Sequence, residues 1–307
     1  MMLIYLFMVR YDNSNIDKWF FNVDECVLNA LGLFMKQGLP TLDKGNLKNP
    51  LVVGSGNAAE TGKIIYENVD AVPATESTYE RELEARDSID GAVLISASGG
   101  KSSVSIASDL RRRGLETRLL TCNPNPLAGE YIDEGNVFVF PKNPEPYTYN
   151  TSTYMGMILG NTREDPEKIY KFLKEEIESR LPDFSDKTGF YFLLPKKFDN
   201  IKKMFQVKFE ELFGRRFGRD FYTPQFAQEH ATDIVAAPNE IAISIGYENE
   251  EFCDDRLNLP LPPGADYGTM MAVGYYTVGK IQSQKPAWFK WNIVDWCSNR
   301  GISAFVE

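Results

Sequence analysis

The sequence predicts an α/β protein of two lobes, each a three-layer α/β/α arrangement around a mainly parallel sheet. Two observations carry this reading. In the first half, short apolar runs alternate with segments of helical period, the pattern of repeated βαβ units. In the second half the alternation recurs more loosely, beyond a cluster of Pro, Asp and Ser at Leu181 to Lys187 that marks a boundary. The chain so divides into an N-terminal arm and helix (1–40), a first domain (41–185) and a more divergent second domain (186–307).

Taken in order, Met1 to Val9 is apolar but too short to span a bilayer, and reads as a strand or packing arm. Asn22 to Lys36 has the period of an amphipathic helix. Strands are expected at Leu51 to Val53, Gly91 to Ser96, Thr117 to Cys122 and Val137 to Phe140. Helices are expected near Ala58 to Asn68, Ser102 to Arg113 and Pro126 to Glu134. Thr151 to Arg180 reads as helical with a break near Gly160 to Pro166. The second half offers a strand at Phe190 to Leu194, a helix at Asn200 to Phe217 and a strand at Ile241 to Ile245. Asp254 to Gly268, with three prolines, reads as irregular surface.

Bulk properties narrow the function. A formal charge of −10 over 307 residues argues against a general nucleic-acid binder, which needs a basic face to displace counterions. A small phosphorylated metabolite needs only a local positive spot. Cys26, Cys122, Cys253 and Cys297 lie far apart without CxxC pairing, so neither a zinc site nor a disulfide framework is expected, and a cytoplasmic setting fits.

The most informative stretch is Ile95-Ser96-Ala97-Ser98-Gly99-Gly100-Lys101-Ser102-Ser103, where an apolar run empties into a small, hydroxyl-rich turn that opens a helix. Free N–H groups and the positive end of the helix dipole attract an anion there, and Gly99 and Gly100 let a phosphate approach the backbone. Lys101 adds a point charge. A Walker-type motif fails, because Ile95 stands where its first Gly must be. Gly54-Ser55-Gly56-Asn57-Ala58-Ala59 matches a dinucleotide fingerprint, with Glu76 or Glu80 about twenty residues on, but that reading leaves the Ser96 to Ser103 turn unexplained.

Four landmarks together resemble the SIS (sugar isomerase) domain family, in particular its double-domain phosphosugar isomerases. They are Gly54-Ser55-Gly56-Asn57, the Ser96 to Ser103 turn, Asn125-Pro126-Leu127-Ala128, and Glu145 ahead of Asn150-Thr151-Ser152-Thr153. The resemblance implies that Gly54, Ser55, Gly56, Asn57, Ser96, Ser98, Gly99, Gly100, Lys101, Ser102, Glu145, Asn150 and Thr151 hold the substrate, with the Asn57 amide reaching a sugar hydroxyl. Ala97, Lys101 and Ala58 stand where the family commonly has Gln or Asn, Thr, and Ser, so the pocket is rewritten in detail.

In the second half, Lys208 and Glu211 lie three apart on one helix face. The resemblance makes Glu211 the base that shuttles a proton between C1 and C2, and His230, the only histidine, the residue that opens the sugar ring. Another carboxylate remains open as the base, since an insertion over Arg215 to Tyr222 is needed to explain the spacing to His230. In the tail, Ile302 occupies the place of a family lysine, which disfavours aminotransfer or deamination. The expected activity is aldose–ketose isomerisation of a hexose 6-phosphate through an enediol, needing no metal or organic cofactor. A homodimer with no membrane or nucleic-acid partner is implied. The alternative is a non-catalytic sugar-phosphate sensor.

Overall fold

The computed structural model describes residues 20–306; the expectation for Met1 to Val9 lies outside them. Helix α1 (Val23–Gln37) opens the described chain, with the Glu25 carboxylate accepting the Asn22 N–H at 2.7 Å. The first sheet follows as β1 (Pro50–Val53), α2 (Asn57–Ile65), β2 (Val72–Ala74), α3 (Tyr79–Ala85), β3 (Gly91–Ile95), α4 (Ser102–Arg112), β4 (Thr117–Thr121) and β5 (Val137–Val139). Its order is β2-β1-β3-β4-β5, parallel throughout.

Strands β1, β3 and β4 are buried along their whole length, which is why they read as unbroken apolar runs. Val52, Val93, Ile95 and Leu120 enter a large core with Ala58 and Ile64 of α2. Leu51, Ala92, Leu94 and Leu119 enter a second core with Ile106, Ala107 and Leu110 of α4. Helices α2 and α4 therefore cover opposite faces of the sheet. Strand β2, a short edge strand carrying Pro73, and α3 escape the sequence pattern. The helix expected at Pro126 to Glu134 forms 3₁₀ turns at Leu127–Tyr131 and Glu134–Asn136. The first of these is pinned by the Ala128 N–H, which donates to the Gly99 carbonyl at 2.9 Å.

Strand β6 (Glu145–Pro146) leads into α5 (Thr151–Thr162) and α6 (Pro166–Phe172). The expected break between the helices falls at Arg163, with φ of +61°, and Asp165 caps α6. The second sheet contains β7 (Gly189–Leu193), β8 (Gly218–Tyr222), β9 (Glu240–Ile245) and β10 (Arg256–Leu259) in the parallel order β10-β9-β7-β8. Helix α7 (Lys202–Phe213) stops four residues earlier than expected, at Gly214 with φ of +59°. The stretch read as an insertion holds β8, which is followed by α8 (Pro224–Glu229). The irregular surface expected over Asp254 to Gly268 is corrected in part: β10 lies within it and buries Leu257 and Leu259, and the prolines follow the strand.

Besides α3 and α8, the helices α9 (Tyr267–Ser283) and α10 (Trp288–Ser298) also lie outside the segments that the sequence reads as helical. Helix α9 is buried almost all round and so lacks an amphipathic stripe. The Glu164 carboxylate caps it, accepting the N–H groups of Asp266, Gly268 and Thr269. Residues of α1, α5, α9 and both sheets share one continuous apolar core. Strand β11 (Phe305–Val306) pairs antiparallel with β6. Among the described residues no helix is long and apolar enough to cross a membrane.

Candidate functional site

The order of the first sheet reverses direction between β1 and β3, so the loops leaving their carboxyl ends part to opposite faces and open a crevice. Those loops are Gly54 to Asn57 and Ser96 to Lys101. Gly54 is required because a Cβ would stand 2.7 Å from the Ala59 nitrogen, and Gly56 turns into α2 with φ of +54°. Ser55 donates to Glu76 at 3.2 Å. Asn57 does not project into the crevice: it is buried, and its Nδ2 donates to the Tyr275 hydroxyl at 3.3 Å.

In the second loop the Ser96 and Ser98 hydroxyl oxygens accept the N–H groups of Gly99 and Gly100 at 3.2 and 3.3 Å, leaving their own hydrogens to donate elsewhere. The Ala97 carbonyl is held by Thr121 Oγ1 and Cys122 Sγ, and the Ser98 carbonyl by Asn123 Nδ2. Gly99, with φ of +58°, packs against Pro126 so closely that a Cβ would lie 2.3 Å from its ring. Lys101 precedes Ser102 at the start of α4 with φ of +53° and ψ of −130°, a conformation glycine adopts and lysine does not favour. Ser and Gly groups, the helix N-terminus and an exposed ammonium thus converge on one turn.

The Lys101 ammonium donates to the Tyr147 hydroxyl at 3.3 Å. Tyr147 begins a strap, Tyr147-Thr148-Tyr149-Asn150, in which Thr148 and Asn150 take φ of +81° and +45°. On its far side, the carbonyls of Thr148 and Tyr149 accept from Lys208 Nζ at 3.2 and 3.0 Å. At the end of the strap the Glu145 carboxylate accepts the N–H groups of Thr151 and Ser152 at 2.6 and 2.8 Å and caps α5. Glu145, Asn150 and Thr151 are therefore one local structure. The tail lies beside it, with the Tyr147 N–H donating to the Ala304 carbonyl at 2.8 Å.

Lys208 is fully buried and donates to Glu211 Oε2 at 2.7 Å; Glu211 retains 24% exposure. Burial pushes the Glu211 carboxyl up from its ordinary value, against the opposing pull of Lys208 and of Thr148 beside it. Glu145 is likewise raised by burial, opposed by its hydrogen bonds to Ser152 and Thr151. Glu211 opens onto a cleft of about 300 Å³ walled by Trp288, Phe289, Ile293 and Trp296 of α10. Trp296 contacts Tyr147 with ring centroids 5.9 Å apart, so cleft and turn are neighbours. Of the strap, sequence reasoning named only Asn150 and missed Tyr147 to Tyr149, as it did the aromatic wall; the tyrosines between Glu145 and Thr151 and the tryptophan-rich stretch after Pro286 are the signals that mark them.

His230 is not brought to Glu211. Side chains alternate along β7: Phe190 and Phe192 meet Phe209 of α7, while Tyr191 meets Tyr222, which stacks on Phe226 of α8. His230 is exposed beside Phe226, with ring centroids 4.4 Å apart. The second sheet stands between histidine and carboxylate. Ile302, in the tail, packs beside Phe20, Ile293 and Cys297.

No family model matches the chain, and no curated protein does. Solved structures do. Glucosamine-6-phosphate deaminase from Thermotoga maritima superposes with a TM-score of 0.58 at 14% identity, covering 92% of this chain and 93% of that one. The C-terminal domain of glucosamine-fructose-6-phosphate aminotransferase from Francisella tularensis gives 0.56 at 16% identity, covering 85% and 94%. Tagatose-6-phosphate ketose/aldose isomerase from Escherichia coli gives 0.56 at 13% identity, covering 84% and 86%. Likenesses at this identity establish the fold, which the chain shares with proteins named for phosphosugar chemistry.

Proposed function

We propose that the protein isomerises a hexose 6-phosphate between aldose and ketose. The observation that carries the reading is Glu211: a carboxylate raised by burial, held by a buried ammonium, and opening onto a cleft beside the Ser/Gly turn. A base of raised pKa suits removal of a proton from carbon at neutral pH. Glu211 takes the C2 proton of the aldose, the bonding pair forms the enediolate double bond, and the same carboxyl returns the proton to C1 while a hydroxyl proton moves from O2 to O1.

In this reading Ser96, Ser98, Gly99, Gly100, Lys101, Ser102 and the N-terminus of α4 hold the phosphate. Gly54 to Gly56 line the other lip of the crevice, and Asn57 supports it through Tyr275. Glu145, by capping α5, fixes Asn150 and Thr151 at the end of the strap. Lys208 orients Glu211. His230, across the sheet from Glu211 in its own chain, serves ring opening only when supplied by a second copy, which makes the active species a homodimer. The double-domain architecture expected from the sequence accommodates this, with the phosphate turn on 41–185 and the base on 186–307.

A second reading, a sugar-phosphate sensor, is favoured by Ile302, whose apolar packing gives the tail no basic group at the family lysine's place. Proton NMR in D₂O with fructose, glucose, mannose and glucosamine 6-phosphates separates the two. Isomerase activity gives interconversion with deuterium at C2; a sensor gives ligand line broadening alone.

A further inference from the structure

We infer that Tyr147 is a positioning residue that makes phosphate bound at the Ser96 to Ser103 turn felt at Glu211; this rests on the isomerase reading above. The strap Tyr147-Thr148-Tyr149 touches both ends of the site. At one end its tyrosine hydroxyl holds the Lys101 ammonium at 3.3 Å. At the other, two consecutive carbonyls hold Lys208, which in turn holds Glu211 at 2.7 Å. Between them Thr148 has φ of +81°, a β-branched residue in a region that such residues avoid. Lys101 is also in a positive-φ conformation. Strained residues persist only where their surroundings hold them, and such strain concentrates at ligand clamps and switch points.

The surroundings here are specific. The Tyr147 N–H is tied to the Ala304 carbonyl and its ring lies against Trp296, while the Tyr149 hydroxyl accepts from Gln282 Nε2 at 2.8 Å. Of these ties, the one at the Tyr147 hydroxyl is the one whose partner, the Lys101 ammonium, a phosphate would claim. When Lys101 turns to the phosphate, the contact on Tyr147 changes, and the next two residues along the strap carry the carbonyls that fix Lys208. Binding energy from the non-reacting end of the substrate is then spent on placing the base.

The test uses the full chain with an unphosphorylated sugar and inorganic phosphate as separate pieces. Deuterium incorporation from D₂O into fructose is followed by NMR with and without inorganic phosphate. Phosphate affinity is measured by calorimetry. The wild type is expected to exchange at least about tenfold faster with phosphate present. Tyr147→Phe, which removes only the hydroxyl, is expected to bind phosphate within about threefold of wild type while losing that activation, and to lower kcat rather than raise KM on hexose 6-phosphate. A variant that keeps the activation, or that changes KM alone, overturns the inference and leaves the isomerase reading standing. A wild type that turns over hexose 6-phosphate but gains nothing from free phosphate does the same. Absence of exchange with every sugar phosphate overturns both.

Discussion

Lys208 and Glu211, three residues apart on α7, form an ion pair of 2.7 Å in which the ammonium is wholly buried and the carboxylate faces the aromatic cleft. The two partners differ in what they can lose. Lys208 also satisfies two backbone carbonyls, so Lys208→Met strands three acceptors and is expected to destabilise the fold by about 3 kcal/mol. Urea denaturation reads this directly. Glu211→Gln keeps an acceptor for the ammonium and removes the proposed base. It is expected to cost about 10²- to 10⁴-fold in kcat with phosphate affinity retained, as followed by NMR turnover and calorimetry.

Stability and activity are expected to move in opposite directions with pH. Burial raises Glu211 and Glu145 above the ordinary 4.5. Between that value and the raised folded values, the folded protein binds more protons than the unfolded chain. Their contribution to stability is therefore fully present below the ordinary value and lost as pH rises through the folded values. In the proposed reaction the ionised form of Glu211 is the base, so kcat/KM is expected to climb through the same window. Urea midpoints and pH–rate profiles from about pH 4 to about pH 8 should cross in this way, and Glu211→Gln should flatten its share of the stability change.

Lys101 sets charge against backbone comfort. Glycine at this position relieves a positive φ that costs lysine on the order of 1 kcal/mol, so Lys101→Gly is expected to raise the thermal midpoint. The same change removes the only ammonium on the turn and is expected to weaken phosphate binding about tenfold. A melt and a phosphate titration on one preparation test both; a variant that is less stable would mean the lysine conformation is not strained.

What was legible in the sequence follows from what each feature depends on. Strands buried on both faces print themselves as apolar runs, which exposed β1, β3, β4, β7 and β9. Glycines forced by close approach marked the two crevice loops. Helix α9 is apolar on all sides and left no period to find, and the prolines after β10 obscured a strand that buries Leu257 and Leu259. At the site, Ser96, Ser98, Lys101, Lys208 and Glu211 stood out because their chemistry lies in their side chains. The hold of the strap on Lys208 did not, because it is made by the carbonyls of Thr148 and Tyr149. The separation of His230 from Glu211 was hidden because it turns on which residues of β7 face which side.

The two sheets are expected to unfold as one body, and the contact that decides this is Gly279 against α1. A Cβ on Gly279 would lie 2.0 Å from the Asp24 nitrogen and 2.7 Å from its Cα, both backbone or near-backbone positions that cannot swing away. Helix α9 must then retreat from α1, and the same movement opens the core that α9 shares with both sheets and loosens the Lys280–Asp24 ion pair of 3.1 Å. Gly279→Ala is accordingly expected to cost about 3 kcal/mol or more, despite the helix propensity alanine adds. Because α9 belongs to neither sheet alone, calorimetry of the variant should show a single transition moved to lower temperature. Two separated transitions would show that each sheet carries its own core and that α9 merely rests between them.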